Sequence, residues 1–141
     1  MASINWDSRL ETGHVDLDAE HRTLIATFNR LCAVLDRGEA NREELEGLLI
    51  FLRNFAMTHF ETEQRLMVRY HYPEEAKHRQ LHADLASEMD TTLDAYHKGT
   101  TQLSPDTMEY LDEWLQKHIR EEDFRLAEFL QQAQAQQKGQ E

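Results

Sequence analysis

The sequence has few of the residues that interrupt helices or cross-link a chain. Its 141 residues include two prolines, five glycines and a single cysteine, Cys32. So few prolines and glycines, together with frequent Leu, Glu, Gln, Ala and Arg, favour helices over sheets. One cysteine excludes an intramolecular disulfide and is typical of a reducing compartment. The length is that of one domain with a sizeable core.

Basic charge and long apolar runs are also scarce. The formal net charge of −12 argues against nucleic acid or anionic lipid as a partner, because both require a basic surface. No apolar stretch approaches the roughly 20 residues that span a bilayer. The segment before Ser8 has neither the basic start nor the apolar run of a signal peptide. We therefore expect a cytoplasmic protein without a membrane partner.

Apolar residues instead recur at helical spacing in four segments. Polar or helix-ending residues separate them: Gly38 predicts the end of the first, and Asn41 with Glu44 predicts a capping box for the second. Pro73 is suited to the first turn of the third, and Ser104-Pro105 to the start of the fourth. The four segments are about 17–36, 41–70, 73–98 and 105–130.

Short connections between four amphipathic helices predict an all-α protein, an up-down-up-down four-helix bundle. We expect one domain with an N-terminal arm over residues 1–14, the bundle over about 17–130 and a polar C-terminal tail over about 131–141.

Histidines and carboxylates interrupt the apolar stripes of all four helices. One histidine on such a stripe is usually a core residue with a satisfied hydrogen bond. Five of them with carboxylates beside them would cost several kcal/mol per charged group if buried without a partner, which favours a metal centre. The candidate ligands are His21, His59, Glu63, His78, His82, His118 and Asp123.

Helical geometry places most of these residues in register. Positions four apart differ by only about 40° around a helix, so His59 and Glu63 share one face. His118 and Asp123 are five apart, about 140°, and are expected to flank their stripe. Glu122 lies nearer the centre of that stripe, and helical geometry alone does not choose between Glu122 and Asp123.

The number and type of ligands narrow the choice of metal. Seven are too many for one tetrahedral zinc ion, and calcium or magnesium sites avoid histidine. Imidazole with carboxylate suits iron, and two octahedral ions would accommodate the whole set. If both carboxylates and one oxygen from water bridge the two ions, one coordination position remains open for a small ligand.

The order and spacing of these residues resemble those of the hemerythrin family over nearly the whole chain. The matching segments are Trp6, Asp18-Ala-Glu-His21, His59-Phe-Glu-Thr-Glu63 with Leu66-Met67, Tyr72-Pro73, His78-x3-His82 and Trp114-x3-His118-Ile119-x3-Asp123. The resemblance implies two non-haem iron ions with an oxo or hydroxo bridge. It assigns His78, His82 and His118 to one iron and His21 and His59 to the other, with Glu63 and Asp123 bridging.

The resemblance also implies reversible O2 binding, for oxygen transport, storage or delivery, with no catalytic acid or base. An O2 or redox sensor acting through a partner protein is an alternative. A di-iron peroxide or nitric-oxide reductase, or an iron-repair protein, is a further one. The role of His14, at the surface or beside the metal ligands, stays open. The residues implied to wall the gas pocket are Leu24, Phe60, Trp114, Leu115 and Ile119.

Overall fold

Four helical rods joined by short loops make up the fold. In a computed structural model, the described residues are 4–37, 42–99 and 103–139, with side chains described to residue 136. A π-helical segment, His118–Asp123, makes α4 and α5 one continuous rod. The predicted all-α four-helix bundle is thereby confirmed. The helices are α1 (Val15–Asp36), α2 (Arg42–Tyr70), α3 (Glu75–Lys98), α4 (Pro105–Lys117) and α5 (Phe124–Gly139).

Local capping explains where three of these helices begin or end. The ring Nδ1 of His14 accepts a hydrogen bond from the Leu17 N–H at 3.3 Å, so His14 caps the start of α1. Ser104 caps α4 through the Thr107 N–H, with Pro105 as the first helical residue, as predicted. At the end of α3, Gly99 adopts a left-handed φ of 77°, which glycine tolerates without a steric cost. The predicted signals Gly38 and Asn41 lie outside the described residues.

Two predicted helix boundaries are wrong. Pro73 lies in a turn before α3, closed by a hydrogen bond from the Glu75 N–H to the Tyr72 carbonyl, so the helix starts at Glu75. The fourth rod does not end near Leu130, because α5 continues to Gly139. Its last turns consist of glutamine, alanine and lysine, which are good helix formers, and contain no proline before that glycine.

The N-terminal arm is fastened to α1 by side-chain hydrogen bonds. The Asn29 amide makes two bonds of 2.7 Å with the backbone of Ile4, one as acceptor and one as donor. Nearer the helix, one Asp18 carboxylate oxygen accepts from both the N–H and the hydroxyl of Thr12. The arm therefore closes one side of the bundle core.

Apolar clusters enclose a polar layer in the middle of the bundle. Along α1, Leu17 and Leu24 lie about one turn on either side of His21, and all three are buried. None of the described helices has both the length and the hydropathy needed to cross a membrane. The cluster below the polar layer comprises Leu17, Met67, Tyr72, Leu126, Ala127 and Leu130, and the one above it Leu24, Leu52, Ala56, Phe60 and Leu85.

Candidate metal centre

The fold brings all seven sequence-predicted ligands to one level of the core. Each is at most 4 % exposed, and both carboxylates are completely buried. Every helical rod contributes: α1 one residue, α2 two, α3 two and the π-helical segment two. A buried carboxylate costs several kcal/mol unless it is paired, so this layer needs cations of some kind.

The seven side chains form two groups that share both carboxylates. One group contains three histidines and the other contains two, and within each group the potential ligand atoms lie within 4.8 Å of one another. We call them the three-histidine group and the two-histidine group. The first is Glu63, His78, His82, His118 and Asp123; the second is His21, His59, Glu63 and Asp123.

Each carboxylate presents its two oxygens to different groups. Asp123 Oδ2 lies 2.7 Å from His21 Nε2, whereas its Oδ1 lies 3.0 Å from His118 Nε2 and 3.1 Å from His78 Nε2. Glu63 Oε1 lies 2.6 Å from His59 Nε2, and its Oε2 lies 2.6 Å from His78 Nε2. A carboxylate that faces two sets of donors in this way is suited to bridging two cations.

The spacing of the nitrogens also fits metal ligation. His21 Nε2 and His59 Nε2 are 3.1 Å apart, and His82 Nε2 and His118 Nε2 are 3.3 Å apart. With metal–nitrogen bonds of about 2.1 Å, two ligands at right angles lie about 3.0 Å apart. Glu63 Oε1 and Asp123 Oδ1 are fully buried, and the nearest nitrogens are histidine Nε2 atoms that do not meet them at hydrogen-bonding angles. The residues present therefore fit a pair of octahedral metal ions.

The π-helical turn explains why Asp123 belongs to this cluster. In that turn the backbone bonds run from residue i to i+5, which brings residues five apart towards the same side. His118 and Asp123 consequently converge, and the prediction that they flank the stripe about 140° apart is wrong. Glu122 is 16 % exposed and lies 3.9 Å from Arg125. It is outside both metal-binding groups.

In the metal-free protein, protonated histidine provides part of the positive charge that bound metal ions would supply. Burial opposes the charged form of every group here, but His118, His21 and His59 hold the pKa of Asp123 well below its ordinary value. Burial lowers the pKa of His78, but the hydrogen bonds that His78 donates to the Asp123 and Glu63 carboxylates raise it to about 10. For His82 burial dominates, and its pKa falls to about 3. The same cluster thus holds protonated and neutral imidazoles side by side.

A third carboxylate, that of Glu20, supports the two-histidine group by binding the ring nitrogen of His59 that faces away from the metal centre. Glu20 Oε1 lies 2.8 Å from His59 Nδ1, and its other oxygen accepts from the Thr62 hydroxyl at 2.9 Å. Such a bond fixes the tautomer of a metal-binding histidine and its ring orientation. Sequence reasoning missed Glu20, since 39 positions separate it from His59 and no local spacing connects them.

An apolar cavity of about 40 Å³ adjoins the cluster, enough for a water-sized or diatomic molecule. The five residues implied to wall a gas pocket, Leu24, Phe60, Trp114, Leu115 and Ile119, all line it. Apart from the indole N–H of Trp114, the polar side chains among the described lining residues are three of the candidate ligands, His21, His59 and His118. Sequence reasoning did not select the other lining residues, Phe28, Leu52, Ala56, Leu85, Met89 and Leu111.

A four-helix bundle whose core presents five histidines and two shared carboxylates belongs to the class of non-haem metal-binding bundles. A match to a known protein family narrows this class further. Residues 12–130 match the Hemerythrin HHE cation binding domain, and the chain belongs to the hemerythrin family.

Known relatives agree with this membership. The chain is 27 % identical to a bacteriohemerythrin from Methylococcus capsulatus over 87 % of its length and 93 % of that protein. It is 29 % identical to myohemerythrin-1 from Phascolopsis gouldii over 85 % of its length and 88 % of that protein. A wild-type hemerythrin crystal structure superposes with a TM-score of 0.83 and 25 % identity, covering 92 % of this chain and 98 % of the other.

Proposed function

We propose that this protein binds O2 reversibly at a non-haem di-iron centre, for oxygen transport, storage or delivery. The observation that carries the proposal is the apolar cavity beside the two-histidine group. That group offers one histidine fewer than its neighbour, so an octahedral ion held there has a position left for a small ligand.

The proposal assigns a set of ligands to each iron. His78, His82 and His118 bind one iron, His21 and His59 bind the other, and Glu63 and Asp123 bridge them. The split of carboxylate oxygens between the two groups supports this arrangement. A reduced iron pair with an oxo or hydroxo bridge supplies the two electrons that reversible binding of O2 requires.

The surrounding residues keep water and anions away from the ligand position. Leu24, Phe60, Leu115 and Ile119 offer neither hydrogen-bond donors nor acceptors from their side chains, so transfer of a polar molecule into the cavity is unfavourable. An apolar diatomic molecule does not have to give up comparable hydration. The wall thus favours the gas, since its described side chains are apolar apart from the Trp114 indole and the ligand histidines.

The same wall favours binding over turnover. Apart from the candidate ligands, the described residues around the cavity include no acid or base that could deliver a proton. Reduction of peroxide or nitric oxide consumes protons, and this site has no side chain placed to supply them. We therefore propose a binding protein and not an enzyme. Its location in the cytoplasm is likewise proposed from the sequence, and cell fractionation tests it.

The test is an anaerobic reconstitution with ferrous iron. We expect about two irons per chain, the number that two groups sharing bridging carboxylates accommodate. A visible absorption band should then appear in air and disappear under argon over repeated cycles. Two irons with a single irreversible oxidation would refute oxygen carriage while keeping the metal centre. In that case, capture of a partner protein from oxic but not anoxic lysate would support a sensor.

A further inference from the structure

A surface groove of about 510 Å³ lies between α3 and α4 and is also lined by residues of α2. Its rim is polar. The Tyr110 hydroxyl donates to Glu88 across the groove, and the Arg53 guanidinium lies 2.8 Å from the Asp90 carboxylate. Its floor is apolar and consists of Leu49, Leu52, Met89, Leu93 and Leu111.

Three floor residues also line the apolar cavity beside the metal ligands. Leu52, Met89 and Leu111 belong to both surfaces, so a single layer of side chains separates the groove from the cavity. Leu52 is buried, whereas the other two are partly exposed. Methionine is unbranched and has three rotatable side-chain bonds, which lets it change shape without moving the backbone.

We propose that an apolar diatomic gas reaches the metal centre through this groove, and that Leu52, Met89 and Leu111 form the gate. The identity of the gas rests on the proposed function, whereas the existence of the passage does not rest on it. The apolar floor favours apolar molecules over hydrated ions, because none of its five side chains can replace the hydrogen bonds of a hydration shell.

A second depression is the competing route. It has a volume of about 280 Å³ and reaches His82 and Phe60 from the other side of α3. Phe60 is the single residue that it shares with the cavity, and its lining includes Glu61, Gln64 and Arg79. Because Phe60 stacks on the His82 ring at 3.9 Å between centroids, opening this route would disturb a candidate ligand. The groove between α3 and α4 requires no such movement.

The passage can be tested without iron chemistry. Trp114 lines the cavity, and a Trp6→Phe background makes it the single tryptophan of the chain. In zinc-loaded protein, quenching of its fluorescence lifetime by dissolved O2 measures how fast the gas enters. Iodide, which is charged, measures in parallel the part of the Trp114 ring that faces solvent.

Three variants on this background discriminate between the routes. Because one layer of close-packed side chains controls entry, Met89→Ala should raise the O2 quenching rate constant about threefold or more. Leu111→Phe should lower it by a similar factor, and iodide quenching should stay constant in both. Ala83→Phe, which fills the competing depression, is the matched control and should change nothing. Thermal melts and a Met89→Leu variant check that the fold is retained.

The outcomes separate this inference from the proposed function. Unchanged O2 quenching in Met89→Ala and Leu111→Phe, or a decrease in Ala83→Phe alone, overturns the passage. If iron-loaded protein still binds O2 reversibly in that case, the proposed function stands. If the gate variants change O2 quenching as expected but the iron-loaded protein oxidises irreversibly, the passage is supported and oxygen carriage is rejected.

Discussion

The two halves of the metal layer are built from the same residue types but differ in what surrounds them. In the three-histidine group, aromatic rings cover the ligands: Phe60 stacks on His82, and Trp114 stacks on His118 at 4.5 Å between centroids. In the two-histidine group, His59 is held by Glu20 and both histidines face the cavity. The cavity borders both halves, since His118 also lines it, but the two-histidine group has one histidine fewer and both of its histidines lie on the cavity. The proposed division of roles, in which one ion anchors the centre and the other takes up a small molecule, rests on that difference.

Removal of iron should have the largest effect, because it leaves both halves without their cations. Metal binding and folding are coupled, so we expect the metal-free protein to lose about 3 kcal/mol or more. For a chain of this size the melting temperature should fall by about 10 °C. Calorimetry of matched iron-loaded and chelated samples measures this. Equal melting temperatures would show that the ions do not hold the bundle together.

A comparably large effect is expected from removing the carboxylate that joins the halves. Asp123→Ala leaves histidines in both groups without a partner, at a cost of about 3–5 kcal/mol. Iron content should fall well below that of the unmodified protein. Glu122→Ala is the matched control, because this neighbour is partly exposed and outside both groups. Measuring the iron content of the two variants tests this prediction. A greater loss of iron in Glu122→Ala than in Asp123→Ala would reverse the assignment of the bridge.

The sequence predicted some residues of the metal layer better than others. Pairs such as His59 with Glu63 lie on one α-helical face, so spacing alone predicted their convergence. Asp123 could not be placed by α-helical geometry, because the turn from His118 to Asp123 is π-helical. Glu20 and the gate residue Met89 acquire their roles only when distant helices meet. The local cap signal at Ser104 predicted the start of α4, but no local signal predicted the extra turns beyond Leu130.

Weakening the support behind one half should give a moderate, local effect. Glu20→Ala removes the hydrogen-bond acceptor of His59 and should lower metal affinity about 10–100-fold, mainly for the ion of the two-histidine group. Glu20→Gln, which keeps an oxygen acceptor, should restore part of the affinity. The exposed Glu61 serves as a control, since Glu61→Ala removes equal charge from the surface of α2. Competition with a chelator measures both ions, and equal weakening of the two would argue against a role specific to one half.

A further expected effect is a pH dependence confined to metal-free protein. The pKa of His78 is raised to about 10 from an ordinary value near 6.5, so its proton stabilises the folded state fully below pH 6.5. This contribution is lost as the pH rises through about 10. Bound metal replaces that proton, so the iron-loaded protein should lack the dependence. Melting temperatures of both forms between pH 6.5 and 10 test this, and a gap that narrows with rising pH would contradict it.

The most direct test is a crystal structure of the iron-loaded, reduced protein, determined at the iron absorption edge before and after exposure to O2. The account predicts two iron peaks about 3.5–4 Å apart, as in other two-metal sites, with Glu63 and Asp123 bridging them. After exposure, new density should appear in the cavity on the iron held by His21 and His59. A single iron peak, or new density on the iron held by His78, His82 and His118, would contradict the division between the two halves.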